Sequence, residues 1–91
     1  RFVACSPLLG PIDLSSYLDG IDQVTVAGES GREARECNYD WVLDIRKQCM
    51  DTNCTFWFKG TGSLFRYKGE IKKINPFKQG NIAKELDINI R

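Results

Sequence analysis

Residues 24–35 read VTVAGESGREAR, and this stretch decides the fold. The apolar run Val24-Thr25-Val26-Ala27 has the β-branched character of a strand. Gly28-Glu29-Ser30-Gly31 stops the run, and a mixed-charge segment leads into a helical pattern. Strand, glycine-bearing loop and helix in that order make one α/β unit. In parallel sheets the carboxyl ends of the strands gather on one edge, where ligands bind. Gly28, Glu29, Ser30 and Gly31 are therefore candidate binding residues, because two glycines let a ligand approach backbone N–H groups. The competing reading is a plain turn: a lone Gly-x-x-Gly lacks the P-loop lysine and the dinucleotide fingerprint.

Upstream, Phe2-Val3-Ala4-Cys5 predicts a short buried strand, broken at Pro7 and Pro11. Asp13 suits the N-cap of a short helix over 14–18, with Gly20 at its end. The second strand covers 22–27, with Val24 and Val26 facing inward. Downstream, residues 39–51 carry Trp41, Val42, Ile45 and Cys49 at helical spacing, so these four should face the sheet. Asn38 or Asp40 caps that helix, and Asp44 with Lys47 forms an exposed pair three residues apart. Residues 54–59 read CTFWFK, and three consecutive aromatics suggest a strand buried on both faces. Strand–helix–strand then recurs with right-handed crossovers, which makes the strands parallel. From residue 63 the period changes to that of a hairpin turning near Lys68-Gly69. Pro76 ends it, a short helix follows over 82–86, and the last residues fray.

The expected fold is α/β: three parallel strands with covering helices, followed by a β-hairpin. Residues 1–91 form one unit, with a βαβαβ-like part over 1–62 and a hairpin and tail over 63–91. The chain starts directly in an apolar run without a leading Met, which suggests a segment of a longer polypeptide.

Composition narrows the function classes. Hydrophobic content of 42% and charged content of 27% fit a globular chain. No apolar run approaches the ~20 residues of a membrane span and no signal-peptide pattern is present, so a cytoplasmic protein without membrane contact is expected. The four cysteines, Cys5, Cys37, Cys49 and Cys54, match no metal spacing, and there is no His. Free thiols and no metal site within this segment follow. Ser6, Ser30 and Cys5 also have no His to activate them as nucleophiles.

Charge is unevenly spread. Residues 1–58 carry five Lys/Arg against nine Asp/Glu, and residues 59–91 carry eight against three. A basic tail can contact nucleic acid, or it can be a solvated face that blunts a sheet edge. If the strands are parallel, their carboxyl ends align Cys5, Ser6, Glu29, Ser30, Lys59 and Thr61 on one rim, with Arg32 and Arg35 nearby. Glu29 beside Lys59 could perform acid–base work, or the two could form an ion pair that fixes the loop.

Four blocks carry a family resemblance: RFVACSPLLGPIDL (1–14), VTVAGESGREAR (24–35), YDWVLDIRKQC (39–49) and FWFKGTGSLF (56–65). Together they resemble the C-terminal part of a bacterial and phage-associated family of unknown function. Its full-length members are similar to radical S-adenosylmethionine enzymes. The resemblance implies a [4Fe–4S] cluster on three N-terminal cysteines of the full-length protein, followed by a partial β/α barrel that this segment closes. It matches Gly28, Glu29, Ser30, Gly31 and Arg35 to one family block, and Lys59, Thr61 and Gly62 to another. Ala27 departs from a common glycine, Ser6 from a common carboxylate, and Gly60 from a usual glutamine. The resemblance thus implies a wall of an enzyme site, inactive alone. S-adenosylmethionine and the cluster would belong to the full-length protein, and the rest of that chain would be the partner. A truncated sheet should also self-associate through an edge strand. The alternative is a non-catalytic module whose basic C-terminal part contacts nucleic acid or a protein.

Overall fold

Val24 and Val26 are fully buried, and the sheet is built outward from them. The computed structural model describes residues 1–91. In chain order the elements are β1 (Phe2–Cys5), β2 (Gln23–Ala27), β3 (Cys37–Asn38), α1 (Tyr39–Asp51), β4 (Thr55–Gly60), β5 (Leu64–Tyr67), β6 (Glu70–Lys73) and α2 (Gln79–Glu85). They form a small mixed α/β unit with two open three-stranded sheets, and neither closes into a barrel. The first has the order β1-β2-β4, with both pairings parallel. The second has the order β3-β5-β6, parallel then antiparallel, with Lys68-Gly69 joining β5 to β6.

Register explains why only one face of the first sheet is dry. Val3, Val24 and Phe56 form one cross-strand row, and Cys5, Val26 and Phe58 the next. These rows meet Val42, Ile45 and Cys49 of α1 and Ala83 of α2 in a single core cluster. The alternate rows, Phe2-Gln23-Thr55 and Ala4-Thr25-Trp57, point the other way. Phe2 and Ala4 are exposed there and Trp57 is half-buried beneath the Arg91 guanidinium. The expectation of burial on both faces therefore fails at Trp57. No element of the chain covers the second face.

Several sequence expectations shift for local reasons. The segment expected as a helix over 14–18 is a turn. Asp13 accepts from the N–H and hydroxyl of Ser15, at 2.9 and 2.6 Å, and so locks a local turn that competes with helix growth. Gln48 of α1 completes this segment by accepting from the Leu14 N–H and donating to the Ile12 carbonyl. The first crossover is therefore a helix-free strap, anchored by buried Leu8, Leu14 and Leu18.

The helix expected over 39–51 is α1, with Asn38 capping it through the Asp40 N–H. Trp41 is only half-buried, unlike Val42, Ile45 and Cys49. Asp44 takes a hydrogen bond from Gln48 and makes no ion pair with Lys47. The short strand β3 was not expected; it ties the β5–β6 pair to a second sheet. The terminal helix starts earlier than expected, at Gln79. The tail does not fray: Ile90 and Phe56 exchange two backbone hydrogen bonds, and the Asn89 side chain accepts from the Phe58 N–H. That pairing closes the outer edge of β4.

Phe56 is fully buried between sheet and helices, so Phe56→Ala should lower unfolding free energy by about 3–5 kcal/mol in urea melts. Trp57→Ala should cost clearly less, because its ring already meets water. Equal losses would contradict the one-sided core.

Candidate functional site on the carboxyl rim

The rim begins with two glycines that touch. An added Cβ on Gly28 would lie 2.3 Å from the Thr61 carbonyl oxygen. Gly62 has φ +75°, and a Cβ there would lie 2.8 Å from the Glu29 N and O atoms. Hence the loops after β2 and β4 cross backbone on backbone, an approach only glycine permits. The Gly28 N–H donates to the Gly60 carbonyl (3.0 Å) and the Ser63 N–H to the Glu29 carbonyl (2.9 Å). The Gly31 N–H donates to Ser63 Oγ at 2.9 Å. The loop containing Gly28, Glu29, Ser30 and Gly31 is thereby held in place by the loop after β4.

The register of β2 on β4 slips at this point. Val26 lies opposite Phe58, but Ala27 lies opposite Gly60. Lys59 is the extra residue of a β-bulge, a device that re-aims a side chain at a strand end. Lys59 is exposed and in no salt bridge.

Ser6, Gly28, Ser30 and Lys59, expected on the rim, line one concavity of about 250 Å³ with Gly62 and Gln79. The remaining expected residues lie elsewhere. Arg35 straddles Glu29 with Nε at 3.1 Å from Oε1 and Nη2 at 2.9 Å from Oε2, and its own N–H adds a bond of 2.9 Å to Oε1. These contacts hold the Glu29 carboxyl down to about 2 and push the Arg35 guanidinium up. Glu29 thus latches its own loop and is a poor proton acceptor; it does not pair with Lys59. Glu29, Gly31 and Arg35 line an adjoining open bowl of about 620 Å³, which shares Ser30 with the concavity. Thr61 is buried, and its hydroxyl donates to the Gly62 carbonyl.

Sequence reasoning missed Gln79. This buried side chain accepts from Ser30 Oγ at 2.6 Å and donates to the Ile74 carbonyl at 3.2 Å. It also donates to Ser63 Oγ at 3.4 Å. Its partner Ser30 lies 49 residues away, so no local pattern could have signalled the contact.

The cysteines do not fit a cluster. All four are buried free thiols, and no group of three or more His, Cys, Asp or Glu side chains gathers to hold a metal. Burial pushes the Cys37 thiol up to about 11; burial and the neighbouring Cys54 thiol push Cys49 up to about 12. Metal ligation needs thiolates, which these environments disfavour. The rim concavity is also smaller than the ~300–1,000 Å³ of sites that enclose a whole ligand, so it fits one end of a cofactor-sized molecule.

An open, largely parallel α/β sheet with its polar residues gathered at the carboxyl rim is the architecture so defined. Residues 1–88 match the model of a family described as Protein of unknown function (DUF5131), and the chain belongs to that family. Neither a curated protein nor a solved structure matches the chain. No helix is long and apolar enough to cross a membrane.

Gly28→Ala should cost about 1–3 kcal/mol through the clash with Thr61. Gly10→Ala, where a Cβ meets nothing within 4 Å, should stay within about 0.5 kcal/mol of wild type. The Glu29 latch has a definite pH sign. Its folded carboxyl titrates below its ordinary 4.5, so its contribution is complete above that value and is lost as pH falls towards about 2. NMR titration should place Glu29 near that lower value, and Arg35→Gln should return it towards 4.5.

Proposed function

We propose that this chain is one wall of a ligand site in a longer α/β enzyme similar to the radical S-adenosylmethionine class, and that it is inactive alone. The reading is carried by the rim: Ser6, Ser30 and Lys59, from the ends of three adjacent parallel strands, line one concavity. The four sequence blocks that resemble the bacterial and phage-associated family support the choice of class. In this reading the cluster and its cysteines lie outside these residues, and the protein works in the cytoplasm. The preceding strands of a partial β/α barrel pack on the uncovered sheet face and on the open edge of β1, where the isolated chain self-associates. Parallel sheets are ordinarily covered on both faces, which favours this arrangement.

A second reading rests on Phe77, which is 89% exposed and lies between Lys73 and Lys78. Such a pair of features suits a stacking contact with single-stranded nucleic acid. An oligonucleotide affinity that falls with salt and with Phe77→Ala would support that reading, and no binding at low salt would remove it.

The first reading is tested on the parent gene product purified without oxygen. About four irons and four sulfides per chain are expected. Lys59→Ala should leave that iron content intact and slow S-adenosylmethionine cleavage about tenfold at limiting S-adenosylmethionine. A folded protein that stays iron-free after reconstitution would overturn the proposal. The 91-residue chain alone should take up no stoichiometric iron.

A further inference from the structure

The rim concavity is lined by a single charged side chain, Lys59, and that charge specifies a ligand. Five of its acceptors are satisfied within the protein, while the carbonyls of Ser6, Gly28, Ser30 and Pro76 receive no protein donor. The Ala27 carbonyl accepts from the Leu8 N–H, that of Gly60 from Gly28, and that of Gln79 from Thr61. The Gly62 carbonyl accepts from the Thr61 hydroxyl, and Gln79 Oε1 from Ser30. Its free donors include that charge. The backbone N–H groups of Ser30 and Gly62 donate to no protein acceptor, nor does the Ser6 hydroxyl or the Lys59 ammonium.

No carboxylate lines the concavity. Of the adjoining loop's carboxylates, Glu29 is turned onto Arg35 by three hydrogen bonds, Glu36 pairs with Arg66, and Glu33 lines the neighbouring bowl. The sole charge facing the space is therefore positive. Glycine at four lining positions, Gly28, Gly60, Gly62 and Gly80, leaves backbone approachable. Gln79 bonds both Ser30 and Ser63, which holds the Ser30 loop in place.

We infer that this concavity binds the oxyanion end of a small ligand, a carboxylate or a phosphate, with Lys59 supplying the charge and the Ser6 hydroxyl and the Ser30 and Gly62 N–H groups completing the hydrogen bonds. The inference rests on the reading of the rim as a ligand site and adds the ligand's charge class. Charge-assisted hydrogen bonds to an oxyanion are roughly twice as strong as neutral ones. Positioned N–H groups and a lysine are the usual complement of such a group. Lys59 is a binding residue in this scheme. With no acid or His beside it, the concavity holds the anion and leaves chemistry to other parts of the site.

The test is a titration of the ¹⁵N-labelled chain with inorganic phosphate, with acetate, and with glycerol as a neutral probe. Saturable shifts are expected at Gly28, Ser30, Gly60 and Gly62 with one or both anions and not with glycerol. The anion that saturates first identifies the carboxylate or the phosphate as the favoured group. Lys59→Gln should weaken that binding about tenfold, the loss of one charge-assisted contact, and Lys72→Gln should leave it unchanged. Added salt should weaken it as well. Rim shifts with glycerol alone would overturn the anion assignment and leave the rim as a ligand site. Shifts scattered over the lysines of β6 and insensitive to Lys59→Gln would overturn the assignment too. No rim shifts with any probe would overturn both the assignment and the rim reading.

Discussion

The contact between Gly28 and the Thr61-Gly62 backbone is the constraint on which the rim depends. It brings two loops from different strands within the distance of bare main chain, and every later feature uses that proximity. The bulge at Lys59 is the geometric counterpart: β2 and β4 must slip by one residue for the loops to meet. Once they meet, Ser63 and Gln79 fasten them with side-chain hydrogen bonds. A methyl group at either glycine would push the loops apart and undo all of these contacts together.

Electrostatics then sorts the rim's charges by partner. Glu29 and Arg35 neutralise one another within seven residues of chain, and Arg66 does the same with Glu36 across the second sheet. Lys59, the charged side chain of the concavity, has no counter-ion. The same logic keeps the thiols quiet. Burial raises Cys5, Cys37 and Cys49, so these cysteines serve as core packing.

Much of this was legible in the sequence because it is local. The Val24-Thr25-Val26-Ala27 run, the helical spacing of Val42, Ile45 and Cys49, and the turn at Lys68-Gly69 each state their own structure. What stayed hidden was decided between distant residues. Gln48 reaches from α1 to the strap at Ile12 and Leu14, and Asp13 bonds forward to Ser15, so an apparent helix became a turn. Trp57 and Phe58 are chemically alike, and only the register with β2 tells which one meets water. At the site, Lys59 could be placed on the rim from its position at a strand end. The choice of Arg35 over Lys59 as the partner of Glu29 could not, since it depends on how a loop curls. Gln79 was invisible for the same reason.

The two sheets end in unlike margins. On one side, β6 is exposed along its whole length and carries Glu70, Lys72 and Lys73, with Pro76 soon after. Charged residues and proline there discourage any further strand from joining. On the other side, β1 offers Phe2, Val3 and Ala4 with no charge among them. A new strand would meet repulsion at the first margin and a compatible apolar template at the second. The molecule therefore has a polarity of growth: the first sheet can be extended past β1, whereas the second is terminated at β6, whatever chain supplies the next strand.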